Sequence, residues 1–241
     1  SSRLSEDNRW ASFWSVSGAW RLSKESFMED MPLFTDFKIK ASFGTNGNLP
    51  GSYYGYMDLF TGSGYGNNPA IYWSSISNDK LSWEKSKNFN VGFEWNMYDR
   101  VNLSIEYYNK KTTDLLFKVP TSLVTGFENR WENLGSLKND GVELEVNSKN
   151  IMNKNFTWTT NFNMTYQRSL VDKLPESKDI EYGDGEMYLH REGESMYTFY
   201  LPEWKGVNAE TGLGEFWLDP NDHSKGVTNY YSEAGKGVVG K

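Results

Sequence analysis

Two histidines, His190 and His223, stand in the last third of the chain, and no cysteine accompanies them. A histidine acid–base site or a zinc site needs partners at ligand spacing, and neither residue has them. Glu143 and Glu145 come nearest to a glycosidase carboxylate pair. As i and i+2 of one strand they would lie about 6.6 Å apart at the backbone, yet acidic side chains on a wetted strand face are ordinary. Gly62-Ser63-Gly64-Tyr65-Gly66 has the glycines of a phosphate-cradling loop without its lysine, hydroxyl or following helix. Asp179, Glu181 and Asp184, or Asp219, Asn221 and Asp222, offer oxygen ligands but not the spacing of a calcium loop. No catalytic residue, metal or cofactor is therefore expected. What stands out is aromatic: Tyr53, Tyr54, Tyr56, Tyr65, Tyr72 and Trp73, set in a stretch rich in Gly, Asn and Ser. Flat aromatic faces stack on sugar rings, and Tyr/Gly/Asn surfaces suit adaptable recognition. These six are the candidate ligand-binding residues; otherwise they pack the loop against its neighbours.

Such rings need a scaffold, and composition says what kind. With 16% aromatic residues, 22 glycines and modest aliphatic content in 241 residues, the chain reads as an aromatic-studded β protein. A net charge of −7 with no Lys/Arg-rich block argues against nucleic acid as a partner. Absence of cysteine excludes a disulfide framework. No apolar run is long enough for a membrane-spanning helix, so a membrane role would require a β-barrel, whose strands need about 9–11 tilted residues.

Strict alternation identifies the strands. Phe89, Val91, Phe93, Trp95 and Met97 alternate with polar residues, and after Tyr98-Asp99-Arg100 so do Val101, Leu103, Ile105 and Tyr107. The pattern recurs over Trp14–Leu22, Phe37–Phe43, Val142–Asn147 and Phe156–Gln167. Successive side chains point to opposite faces, so these six strands predict one uncharged apolar wall and one hydrated wall. Every proline falls outside the six, as a hydrogen-bonded ladder requires. Short connections (around 98–100 and 150–155) would share one end of an up-and-down antiparallel sheet. Long ones (45–83 and 113–137) would share the other. The connection at 23–36 is expected to hold one helical turn with a serine cap, Ser23 to Met28. Residues 1–170 are read as the six strands with their turns and loops, and 171–241 as a large extracellular loop region with small hairpins. Long strands, Trp and Tyr near strand ends and loops gathered at one end favour a transmembrane barrel. The alternative is a soluble β-sandwich, a carbohydrate-binding or adhesin-like module, which would also alternate.

Six segments together resemble one family. They are Gly18–Met28, Phe37–Asn48, Leu81–Glu94, Tyr107–Leu116, Asn133–Glu145 and Phe199–Gly212, in that order, and they cover nearly the whole chain. The family is the SusC/RagA group of TonB-dependent outer-membrane transporters. The resemblance implies part of a 22-stranded transmembrane β-barrel of roughly a thousand residues, closed by an N-terminal plug. It implies import of oligosaccharides, or of peptides in some branches, with a SusD-like surface lipoprotein as lid and TonB as energy source. It also implies location in the outer membrane with lipid around the wall. No plug, TonB-contacting segment or closing strand is recognisable, so the chain is expected to be an internal portion of such a barrel.

Overall fold

The computed structural model describes residues 3–51, 53–66, 68–121, 123–127 and 129–239. Its strands, in chain order, are β1 (Ser15–Arg21), β2 (Asp36–Asn48), β3 (Leu59–Tyr65), β4 (Asn68–Ser75), β5 (Glu84–Met97), β6 (Val101–Thr113), β7 (Leu116–Pro120), β8 (Asn129–Asn133), β9 (Ser136–Met152) and β10 (Thr157–Lys173). There follow β11 (Ile180–Tyr182), β12 (Tyr188–His190), β13 (Thr198–Pro202), β14 (Trp204–Val207), β15 (Gly214–Trp217), β16 (Val227–Thr228) and β17 (Lys236–Val239). The chain forms two compact units, residues 1–168 and 169–241. Among the described residues, no helix is long and apolar enough to cross a membrane.

All six alternating segments are strands of one sheet, in the order β1-β2-β5-β6-β9-β10. Register is unbroken across its inner strands. Trp20, Ile39, Phe93, Ile105 and Leu144 form one apolar row, and Gly18, Ala41, Val91, Tyr107 and Val142 the next. A one-residue slip would move each apolar side chain to the polar face, so the pattern itself holds this register. The apolar face lies open: Phe89 is 41% exposed, Phe162 50% and Tyr166 65%. A sandwich would cover these side chains with a second sheet.

The strands outrun their alternating stretches. β5 begins at Glu84, β6 continues to Thr113 and β9 begins at Ser136. There the ladder carries polar side chains on both faces, so hydropathy does not reveal it. The apolar face is therefore uncharged only along its alternating stretch; beyond it Lys85, Lys87, Lys111 and Lys138 occupy the same face. The connection after β1 also differs from expectation. It contains two 3-10 turns, Leu22–Lys24 and Ser26–Met28, neither with a side-chain cap. Ser23 Oγ instead donates to Asp36 (3.1 Å) and ties the turn to the start of β2.

Both long connections hold a hairpin, β3–β4 and β7–β8. Asn133 anchors their bases. Its Nδ2 donates to the carbonyls of Ser82 and Asp114 (2.9 Å each), and its Oδ1 accepts from the Ser82 N–H (2.7 Å). In the second unit, β11-β12-β13-β17 form one sheet and β14-β15-β16 another. Leu189, Val171 and Leu174 are buried there, and Tyr182, Tyr188 and Phe199 stack in succession at 5.2–5.3 Å.

Candidate functional site

The polar face of the six-stranded sheet is organised by charge. Alternation places Lys38 and Lys40 of β2, Glu94 of β5 and Glu106 of β6 on this face. Lys38 Nζ lies 2.5 Å from Glu94, while Lys40 Nζ lies 3.4 Å from Glu94 and 2.6 Å from Glu106. Lys40 reaches Glu106 across an intervening strand, which is possible because the residue between them is Gly92. A Cβ there would sit 2.5 Å from the Ile105 carbonyl oxygen and 3.2 Å from Glu106 Cβ. Glu143 lies directly opposite Glu106, and Glu145 opposite Ser104. The two glutamates thus belong to a mixed-charge wall, where neighbouring lysine offsets carboxylate. Asn96 and Asn102 pair across the strands at 2.8 Å, as do Asn90 and Ser42 at 3.1 Å. Such a wall offers hydrogen bonds and fixed charge to a hydrated solute.

The aromatic candidates divide among several surfaces. Tyr53 and Tyr54 are neighbours in the connection before β3, with ring centres 6.4 Å apart. Arg3 stacks on the Tyr53 ring at 4.4 Å and donates to its hydroxyl at 3.0 Å. Tyr56 is half-buried nearby. Tyr72 and Trp73 are adjacent in β4 and so face opposite sides of the hairpin. The side chain of Tyr65 lies outside the described residues. Trp73 is paired in register with Phe60, their rings 5.8 Å apart. Phe60, Ile71 and Trp73 share one face of the hairpin at 60%, 77% and 60% exposure, beside the bare backbone of Gly62 and Gly64. Phe60 and Ile71 escaped sequence reading because glycine and serine between them hide the two-residue period. Their pairing with β4 is what gathers them into a flat apolar platform.

The remaining ionisable candidates are engaged in strands and turns of the second unit. Asp179 accepts from Arg191 Nε (2.8 Å) and Nη2 (2.6 Å), and Glu181 lies 3.6 Å from Lys236. Asp219 pairs with Lys225 at 2.6 Å, which holds its carboxyl below the usual range. Asn221 donates its backbone N–H to Asp219 (2.9 Å), and Asp222 accepts from the Ser224 hydroxyl (2.6 Å). The side chain of Asp184 lies outside the described residues. His190 stacks on Tyr182 at 4.0 Å, and burial pushes its imidazole below the ordinary histidine value. His223 stacks on Trp217 at 4.1 Å, with Nε2 3.2 Å from Glu203. His190 ends β12, whereas His223 opens the 3-10 turn His223–Lys225 before β16, so the two histidines do not share an element, and each stacks on an aromatic ring.

An open apolar face backed by a charged polar face is the anatomy of a membrane β-barrel wall. A family model described as "TonB dependent receptor-like, beta-barrel" matches residues 2–239. The chain belongs to this TonB-dependent receptor family. It is 35% identical to the TonB-dependent receptor P3 of Formosa agariphila, over 86% of this chain and 22% of that one. It is 31% identical to the TonB-dependent receptor SusC of Bacteroides thetaiotaomicron, over 92% of this chain and 24% of that one. Its fold matches the structure of the RagAB peptide transporter with a TM-score of 0.87 and 28% identity, covering 100% of this chain and 26% of that chain. The resemblance to the SusC/RagA group therefore holds for sequence and for fold. The chain spans about a quarter of the length of these TonB-dependent receptors.

Proposed function

We propose that this chain forms part of the wall and outer vestibule of a TonB-dependent nutrient importer of SusC/RagA type in the outer membrane. Its apolar face meets lipid, its polar face lines the hydrated interior, and the long connections open to the cell exterior. The observation that carries this reading is the division of one continuous register into an open apolar face and an ion-paired polar face. The importer takes up oligosaccharides, with peptides as the second substrate class, beneath a SusD-like lipoprotein lid, and TonB supplies the energy. Support for a SusD-like partner comes from the similarity to SusC and RagAB. The chain performs no bond chemistry in this role. RagAB in a "closed-closed" and in an "open-open" state matches this chain with the same TM-score of 0.87, in keeping with a wall that serves as a fixed frame.

Oligosaccharide is favoured by the Phe60, Ile71 and Trp73 platform, on which a pyranose ring can stack. Replacing Trp73 or Tyr54 by alanine in the full-length transporter tests this. Loss of one stacking face is worth about 1 kcal/mol, or several-fold in affinity. Binding and uptake of the oligosaccharide should fall by that factor while the barrel still assembles. Unchanged binding and uptake in both variants would remove these rings from the ligand path, and a loss confined to peptide uptake would assign the second substrate class.

A further inference from the structure

At the end of the sheet from which the long connections leave, three outward-facing rows close the apolar band. Phe43, Phe89, Asn109 and Asp140 form the first. Thr45, Lys87, Lys111 and Lys138 form the second, and Gly47, Lys85, Thr113 and Ser136 the third. Four lysines thus face outward against one aspartate. Asp140 is itself held by Arg168 at 3.2 Å, with Lys138 at 4.0 Å, and Lys85 pairs with Asp114 at 3.2 Å. The corresponding rows at the short-turn end, Phe37–Trp95–Leu103–Val146 and Met97–Val101–Ser148, carry no charge. The belt is one-sided, and it is basic in a chain whose net charge is −7.

Position and spacing define what the belt can hold. Lys87, Lys111 and Lys138 occupy neighbouring strands in one row, so their backbones span about 10 Å. Lysine stems lie along apolar surface while their ammonium groups stay at the polar boundary. Three such groups at the edge of a hydrocarbon-facing band attract anionic headgroups, by roughly a factor of five per lysine. We propose that Lys87, Lys111 and Lys138 form a binding site for the phosphate groups of an outer-leaflet lipid headgroup, which fixes the height of the wall in the membrane. This rests on the reading of the apolar face as lipid-facing.

The test uses the full-length transporter in neutral detergent, titrated with lipid A bearing its phosphomonoesters, with dephosphorylated lipid A, and with inorganic phosphate. The combined Lys87→Gln, Lys111→Gln and Lys138→Gln variant should bind phosphorylated lipid A at least about tenfold more weakly. Lys110→Gln, on the same strand but facing inward, should bind as the wild type does, and the triple arginine variant should retain binding. If the triple glutamine variant fails to assemble, Lys87→Gln alone should lose about fivefold. Wild-type affinity in the glutamine variants, equal binding of dephosphorylated lipid, or inorganic phosphate binding as tightly as the lipid would each overturn the site. An Ile105→Arg variant separates the two readings. If it assembles normally, the lipid-facing reading fails; if it does not, a negative titration sinks the lysine site alone.

Discussion

Gly92 shows how one residue sets the chemistry of a surface. Glycine inside a strand lacks a side chain to pack and weakens it, and in sequence Gly92 is one more polar-face position of a hairpin. In the sheet it is the gap through which Lys40 reaches Glu106, two strands away, beside the directly opposed Glu106 and Glu143. A methyl group would press on the Ile105 carbonyl at 2.5 Å and crowd the ion pair. Gly92→Ala should therefore destabilise the barrel by about 1–3 kcal/mol, read as a lower urea midpoint for the full-length protein in detergent. An unchanged midpoint would contradict this role. Tyr98 and Asp99 carry a different cost. Both have positive φ (50° and 55°) in the tight turn closed by Arg100 N–H to the Met97 carbonyl. The Asn96 side chain supports that turn by accepting the Asp99 N–H at 3.0 Å.

Among elements, the six wall strands were legible because each must keep one face apolar, and period two records that demand. Their outer ends were not legible. Beyond the apolar stretch Lys85, Lys87, Lys111 and Lys138 still form ladder hydrogen bonds, but neither face has an apolar environment to match. The β3–β4 hairpin was hidden for a related reason: Gly62, Ser63 and Gly64 pair with β4 while carrying no periodic hydropathy. The face assignment can be tested strand by strand. Val91→Arg and Ile105→Arg should each impair assembly by about 2–4 kcal/mol near the bilayer midplane, and Asn90→Arg much less. The amount of folded full-length transporter recovered from membranes is the measurement. Equal recovery of all three variants would refute the division into lipid and interior faces.

For the whole molecule, an open apolar wall has no stable home in water. Unpaired strand edges in hydrocarbon cost several kcal/mol for each unsatisfied backbone group, so the outer edges of β1 and β10 call for further strands beside them. This 241-residue chain, expressed alone, should associate in aqueous buffer and stay dispersed only in detergent or lipid, as sedimentation would show. A compact, water-soluble monomer with cooperative unfolding would overturn the membrane reading. By itself the sequence determined the β class, the six strands, their two faces and the family resemblance, because alternation is a local response to the medium on either side of a strand. Tertiary structure decided what alternation cannot encode. It set which residues of separate strands share a row, bringing Lys87, Lys111 and Lys138 together and letting Lys40 reach past Gly92. It also joined Trp73 to Phe60 across the β3–β4 hairpin, since such neighbours are chosen by register between strands and not by hydropathy along one strand.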